Sequence, residues 1–136
     1  MSIIIQTDSL KKNYGSKVVL NNISMSIERG TIVGLLGPNG CGKTTLIKII
    51  AGLVKDYSGK VLIDNYEPGE YTKSIISYLP EKTYLPDYYS PKDALDFFED
   101  FYRDFDRKKA EDMLEKFRLD PNQKLKSMSK GMQEKV

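Results

Sequence analysis

Residues 37–45 read Gly37-Pro38-Asn39-Gly40-Cys41-Gly42-Lys43-Thr44-Thr45, which satisfies the pattern G-x-x-x-x-G-K-[ST]. Glycine lets a main chain turn with positive φ and bring its amides against an anion, an approach that a Cβ would block. Gly37, Gly40 and Gly42 meet that need, and Asn39 and Cys41 complete the wrapping loop. Lys43 would neutralise charge on the outer phosphates of a polyphosphate. The Thr44 hydroxyl would ligate a divalent metal that keeps several waters of its own, with Thr45 beside it at the start of a helix. The alternative is a Gly-rich turn that merely joins a strand to a helix, and the flanking segments decide between the two.

Ahead of the loop, Thr31-Ile32-Val33-Gly34-Leu35-Leu36 is a short apolar run of the kind found in fully buried strands. Behind it, residues 44–51 read as a helix stopped by Gly52. Strand, loop and helix arrive in the order that places the positive end of a helix at the phosphates.

The totals bound the rest. With 136 residues the chain allows one domain with a modest core. A net charge of +2 does not indicate a nucleic-acid binder, and 40% hydrophobic with 29% charged residues is ordinary for a soluble globular protein. Residues 1–60 hold 8 basic and 3 acidic side chains, against 13 and 16 in the remainder. The basic half thus carries the phosphate loop, although solvated faces also explain such a split. Cys41 is the single cysteine, so no intramolecular disulfide can form and a reducing compartment is expected. Inside the loop its thiol is either a site of oxidation or simply a small side chain that fits. There is no histidine. No run approaches the roughly 20 apolar residues of a membrane span, and Met1 to Leu10 does not read as a signal peptide, so membrane association is expected through a partner.

Ile3 to Thr7, Lys17 to Leu20 and the alternation Ile23, Met25, Ile27 predict antiparallel strands with one solvated face. Lys60 to Ile63 predicts another strand, and Ser74 to Leu79 a further core strand closed by Pro80. Asp64-Asn65 and Pro68-Gly69 mark loops. Ser90-Pro91 opens a helix with Ser as N-cap and Pro in the first turn. Its Ala94, Leu95, Phe98, Phe101, Tyr102 and Phe105 form one apolar face. Asp106 caps a second helix striped by Ala110, Met113, Leu114 and Phe117, and Lys130 to Val136 opens a third.

Taken together these residues resemble the first part of an ATP-binding-cassette (ABC) nucleotide-binding domain, and the resemblance extends over all 136 residues. Residues 10–15, Leu10-Lys11-Lys12-Asn13-Tyr14-Gly15, are similar to the family's adenine-stacking loop, with Tyr14 as the aromatic. Ser77-Tyr78-Leu79-Pro80-Glu81 resembles the strand leading to the Q-loop, with Glu81 where the family has a Gln that approaches Mg²⁺; a carboxylate can also ligate that ion. Met128-Ser129-Lys130-Gly131-Met132 aligns with the signature L-S-G-G-Q and keeps Ser129 and Gly131, which in the family meet ATP held by a second subunit.

The resemblance implies an α/β fold, a P-loop NTPase of ABC type: an antiparallel β subdomain, a parallel core sheet with the P-loop helix, and an α-helical subdomain, truncated. Residues 1–80 would form the β subdomain and P-loop core, 81–129 the helical subdomain and 130–136 the start of the signature helix. It implies ATP and Mg²⁺ as cofactors, with Thr44 and Glu81 on the metal. It also implies a membrane permease as partner, a second nucleotide-binding subunit arranged head to tail, and a place on the inner face of the cell membrane. Tyr84, Tyr88 and Tyr89 with Pro86 and Pro91 either dock that permease or pack the subdomain. In the family a metal-holding Asp, a catalytic Glu and a switch His follow the signature; in this sequence they would lie past Val136, so the chain is expected to bind nucleotide and barely hydrolyse it. Two other readings stay open: a soluble ABC-type ATPase acting on the ribosome or DNA, and a non-catalytic nucleotide-binding fragment.

Overall fold

A computed structural model describes residues 2–80, 82 and 84–136. They form two compact units, Met1–Leu79 and Pro80–Val136.

In the first unit, β1 (Ile3–Tyr14) and β2 (Lys17–Glu28) are long strands joined by a tight turn, and β3 (Ser58–Ile63) lies on the other side of β1. Both pairings are antiparallel. The β1–β2 ladder is interrupted between Thr7 and Leu10, where an extra residue must be absorbed. Thr7, itself buried, mends the gap: its Oγ1 donates to the Ile23 carbonyl at 3.0 Å and accepts from the Met25 amide at 3.2 Å. Helix α1 (Lys43–Ile50) packs Leu46 and Ile49 against Leu10, Leu20, Val61 and Ile63, and this cluster is the core of the unit. Burying side chains of this size stabilises by roughly 1.5–3 kcal/mol each.

Two expected strands are corrected. Residues 31–36 join no ladder among the described residues, and Leu36 is 93% exposed. Of 74–79, Ser74 and Ile75 end a helix, α2 (Glu70–Ile75), and Leu79 is 87% exposed. An apolar run supplies the side chains of a buried strand, but strand formation needs a neighbouring backbone to complete its hydrogen bonds. Neither segment finds one here, so the ladder that does form is the small antiparallel sheet. Helix α2 falls where a loop continuing into a strand was expected. It starts where the Gly69 amide donates to the Thr72 Oγ1 at 2.8 Å, with Glu70 in its first turn.

The second unit contains α3 (Pro91–Phe101), α4 (Arg107–Lys116), a 3₁₀ turn at Leu125–Ser127 and α5 (Lys130–Gln133). The expected caps form: Ser90 Oγ accepts from the Asp93 amide and Asp106 from the Lys109 amide. Leu95, Leu114 and Leu119 make the core, with Phe105, Ala110 and Met132 packed on it. The apolar face of α3 is buried only in part, since Phe101 and Tyr102 stay exposed. Arg107 ties the helices together, donating to Asp96 at 2.6 Å and Glu99 at 2.7 Å on α3 and to Glu111 at 2.9 Å on α4.

Candidate functional site

The loop 37–42 makes its turns on glycine. Gly40 sits at φ +79° and Gly42 at φ +100°. At Gly42 space is also limiting, because a Cβ there would stand 2.7 Å from the Val19 carbonyl oxygen and 2.8 Å from Leu20 Cδ2. The loop therefore ends pressed onto β2, and α1 begins at that contact with Gly42 as its N-cap.

A glycine N-cap has no side chain to bond the first amides of the helix, and no acidic residue stands in the first turn of α1. Those N–H groups have no intrahelical partner. Together with the helix dipole they form a site for an anion. Lys43 supplies the full positive charge: its Nζ donates to the carbonyl oxygens of Gly37 at 2.6 Å and Pro38 at 2.7 Å and lies 3.6 Å from Cys41 Sγ. An ammonium held across the loop by two backbone carbonyls is placed where it can exchange them for phosphate oxygens. The Thr44 side chain is exposed and Thr45 half-buried on the same first turn. Lysine, hydroxyls and a close-packed glycine corner fit a magnesium-bound polyphosphate. Among the described residues no group of three His, Cys, Asp or Glu side chains converges on a cation.

Tyr14 ends β1 and pairs with Lys17 across the turn. Val19, whose carbonyl meets Gly42, is two residues further along β2, so the aromatic and the end of the phosphate loop are attached to the same end of one hairpin. The ring is 51% exposed and carries Lys12 Nζ over it at 4.6 Å from its centroid. Lys12 was not among the residues expected to matter. Its signal was a cation two positions after Leu10 on a strand whose core side holds Leu10, where an apolar residue belongs.

Cys41 is exposed and unbridged. Asn39 is exposed in the loop. Glu81 lies outside the described residues. In the second unit, Ser129 is the N-cap of α5 and its Oγ accepts from the Met132 amide at 3.3 Å. Gly131 is exposed, and a Cβ there would meet nothing within 4 Å, so packing does not demand glycine at that position. Gln133 steadies this helix by donating to the Leu125 carbonyl at 2.7 Å. Tyr84 and Tyr88 are exposed, Pro86 and Tyr89 half-buried, and Pro91 is buried at the start of α3.

A family model described as ABC transporter matches residues 20–136. The chain is 34% identical over 138 residues to the ABC transporter ATP-binding protein YdbJ of Bacillus subtilis, covering 98% of this chain and 45% of that protein. It is 33% identical over 141 residues to the linearmycin resistance ATP-binding protein LnrL of the same organism, again covering 98% and 45%. The chain thus spans about half the length of the curated relatives it matches. A solved structure described as the ATP-binding subunit of an ABC transporter superposes with a TM-score of 0.80 at 27% identity, over 97% of this chain and 58% of that one.

Proposed function

The chain belongs to the ABC transporter family, and on that premise we propose that it binds ATP with Mg²⁺ as part of the ATP-binding subunit of an ABC transporter. The observation that carries this reading is the uncapped start of α1, with Gly42 packed on β2 and Lys43 held across the loop.

Each residue has a part in it. The amides of the loop and of the first turn of α1 donate to the phosphate oxygens, Lys43 matches their charge, and Thr44 offers its hydroxyl to the metal. Mg²⁺, when bound with nucleotide, supplies charge neutralisation on the outer phosphates. Tyr14 offers a flat apolar face for the base, an interaction tolerant of the base's hydrogen-bonding pattern. Glu81 is proposed as a second metal contact. Ser129 and Gly131 are proposed to meet the nucleotide of a second such subunit arranged head to tail.

The partner in the membrane is proposed to be a separate permease, met by the exposed Tyr84 and Tyr88 of the second unit. No helix among the described residues is long and apolar enough to cross a membrane. A polypeptide of these 136 residues alone is proposed to hold nucleotide without appreciable turnover, since it includes no histidine to serve as the family's switch. Titration with Mg·ATP, followed on the same samples by phosphate release, tests both statements. Saturable binding with release at background is expected. Failure to bind ATP would remove the functional reading, and steady turnover would remove the statement on hydrolysis.

A further inference from the structure

We propose that Lys12 is a positioning residue for the nucleotide base: held by Asp56, its ammonium fixes the ring of Tyr14 as the platform on which the base stacks. This rests on the reading that the chain binds ATP with Tyr14 against the base.

A lysine on the inner side of a strand is unusual, because an ammonium loses its hydration there unless something replaces it. Lys12 is 5% exposed and follows fully buried Leu10 by two residues. The β1–β2 register shifts on both sides of it, between Leu10 and Lys12 and between Lys12 and Asn13, and such irregularities re-aim a side chain. Two groups replace the lost water. Asp56 Oδ2 accepts from Lys12 Nζ at 2.9 Å, and the Tyr14 ring lies under the same nitrogen at 4.6 Å.

The carboxylate of Asp56 is itself fully exposed, so the ion pair is screened and adds little stability by itself. Its consequence is geometric. Asp56 lies on the connection from α1 to β3, and α1 begins at the phosphate loop. The pair therefore ties the end of β1 to the segment that leads from the helix starting at the cradle into β3. The cation then takes one face of Tyr14 and restricts its rotation, while half of the residue's surface stays open to a base. A ring held in this way presents its free face without first losing rotamer entropy on binding.

The test compares the full chain with Lys12→Met, Lys12→Arg and Asp56→Asn, measuring affinity for Mg·ATP and for inorganic tripolyphosphate by calorimetry. Methionine keeps the unbranched stem and removes the charge. Wild type is expected to prefer ATP. Lys12→Met is expected to lose about five- to tenfold in ATP affinity, with tripolyphosphate unchanged within about twofold and with Lys12→Arg restoring the preference. Asp56→Asn leaves Lys12 in place and is expected to lose about two- to threefold, again for ATP alone; it carries the test if Lys12→Met does not fold. Equal loss of both ligands, or an ATP preference that survives loss of the charge or of its Asp56 tether, would overturn the proposal and leave the ATP reading intact. A wild type without any preference for ATP over tripolyphosphate would overturn both the proposal and the stacking of the base on Tyr14 that it rests on, whereas a wild type that binds no ATP would remove the functional reading itself.

Discussion

Helices α1 and α3 begin in opposite ways, although each faces the same problem of four amides without intrahelical partners. At α3, Ser90 Oγ accepts from the Asp93 amide at 3.3 Å, and Asp93 returns a bond to the Ser90 amide at 2.8 Å. Lys124 then covers the carboxylate at 3.0 Å. At α1 the N-cap is Gly42, and neither a side-chain cap nor a first-turn acid is present. One helix closes its positive end with its own side chains and is a structural part. The other leaves that end to whatever anion the preceding loop can hold. A missing cap next to glycines and a lysine is thus a positive sign of a binding site.

The change that breaks this contrast most severely is Gly42→Ala. A side chain at φ +100° and 2.7 Å from a backbone oxygen must push α1 off β2, a cost of about 3 kcal/mol in the stability of the protein, read from urea denaturation. Lys43→Ala comes next. It leaves the fold in place and lowers affinity for Mg·ATP by about 100-fold, about 2.7 kcal/mol, as measured by calorimetry. Unchanged affinity would mean that the ammonium is bound to the Gly37 and Pro38 carbonyls for structural reasons only.

Ser90→Ala sharpens the comparison from the other side. Loss of the cap costs about 1 kcal/mol of stability with no change in ATP affinity, because α3 uses its amides internally. A smaller effect is expected from pH. The amide and hydroxyl of Ser90, and then Lys124, lower the Asp93 pKa from its ordinary value to about 2. A depressed carboxylate contributes stability above its unfolded pKa and loses it as pH falls toward the folded value. Denaturation midpoints should therefore drop between about pH 5 and pH 2, and Asp93→Asn should reduce that drop. An equal drop in both proteins would show that Asp93 carries none of it.

Local chemistry was readable from the chain alone. The positive φ of Gly40 and Gly42, the Ser90 and Asp106 caps and the start of α1 all depend on residues within a few positions of one another. Such features survive in a one-dimensional pattern because the interacting groups are neighbours along it. Helix α2 was missed because its opening is a glycine whose amide bonds Thr72, a weak signal beside the Pro68-Gly69 turn. Residues 31–36 have side chains that suit a strand, yet ladder bonds belong to a pair of backbones and no partner joins them among the described residues.

The sequence by itself determined the phosphate loop, its glycines and lysine, and the helix that carries them. Only the tertiary structure decided which face of β1 takes Lys12, that Asp56 from 44 residues away would hold it, and that Tyr14 would lie beneath its charge. The reason is physical. Backbone turns and caps are settled by neighbouring residues, whereas a buried cation is tolerated only when distant groups replace the water it has lost.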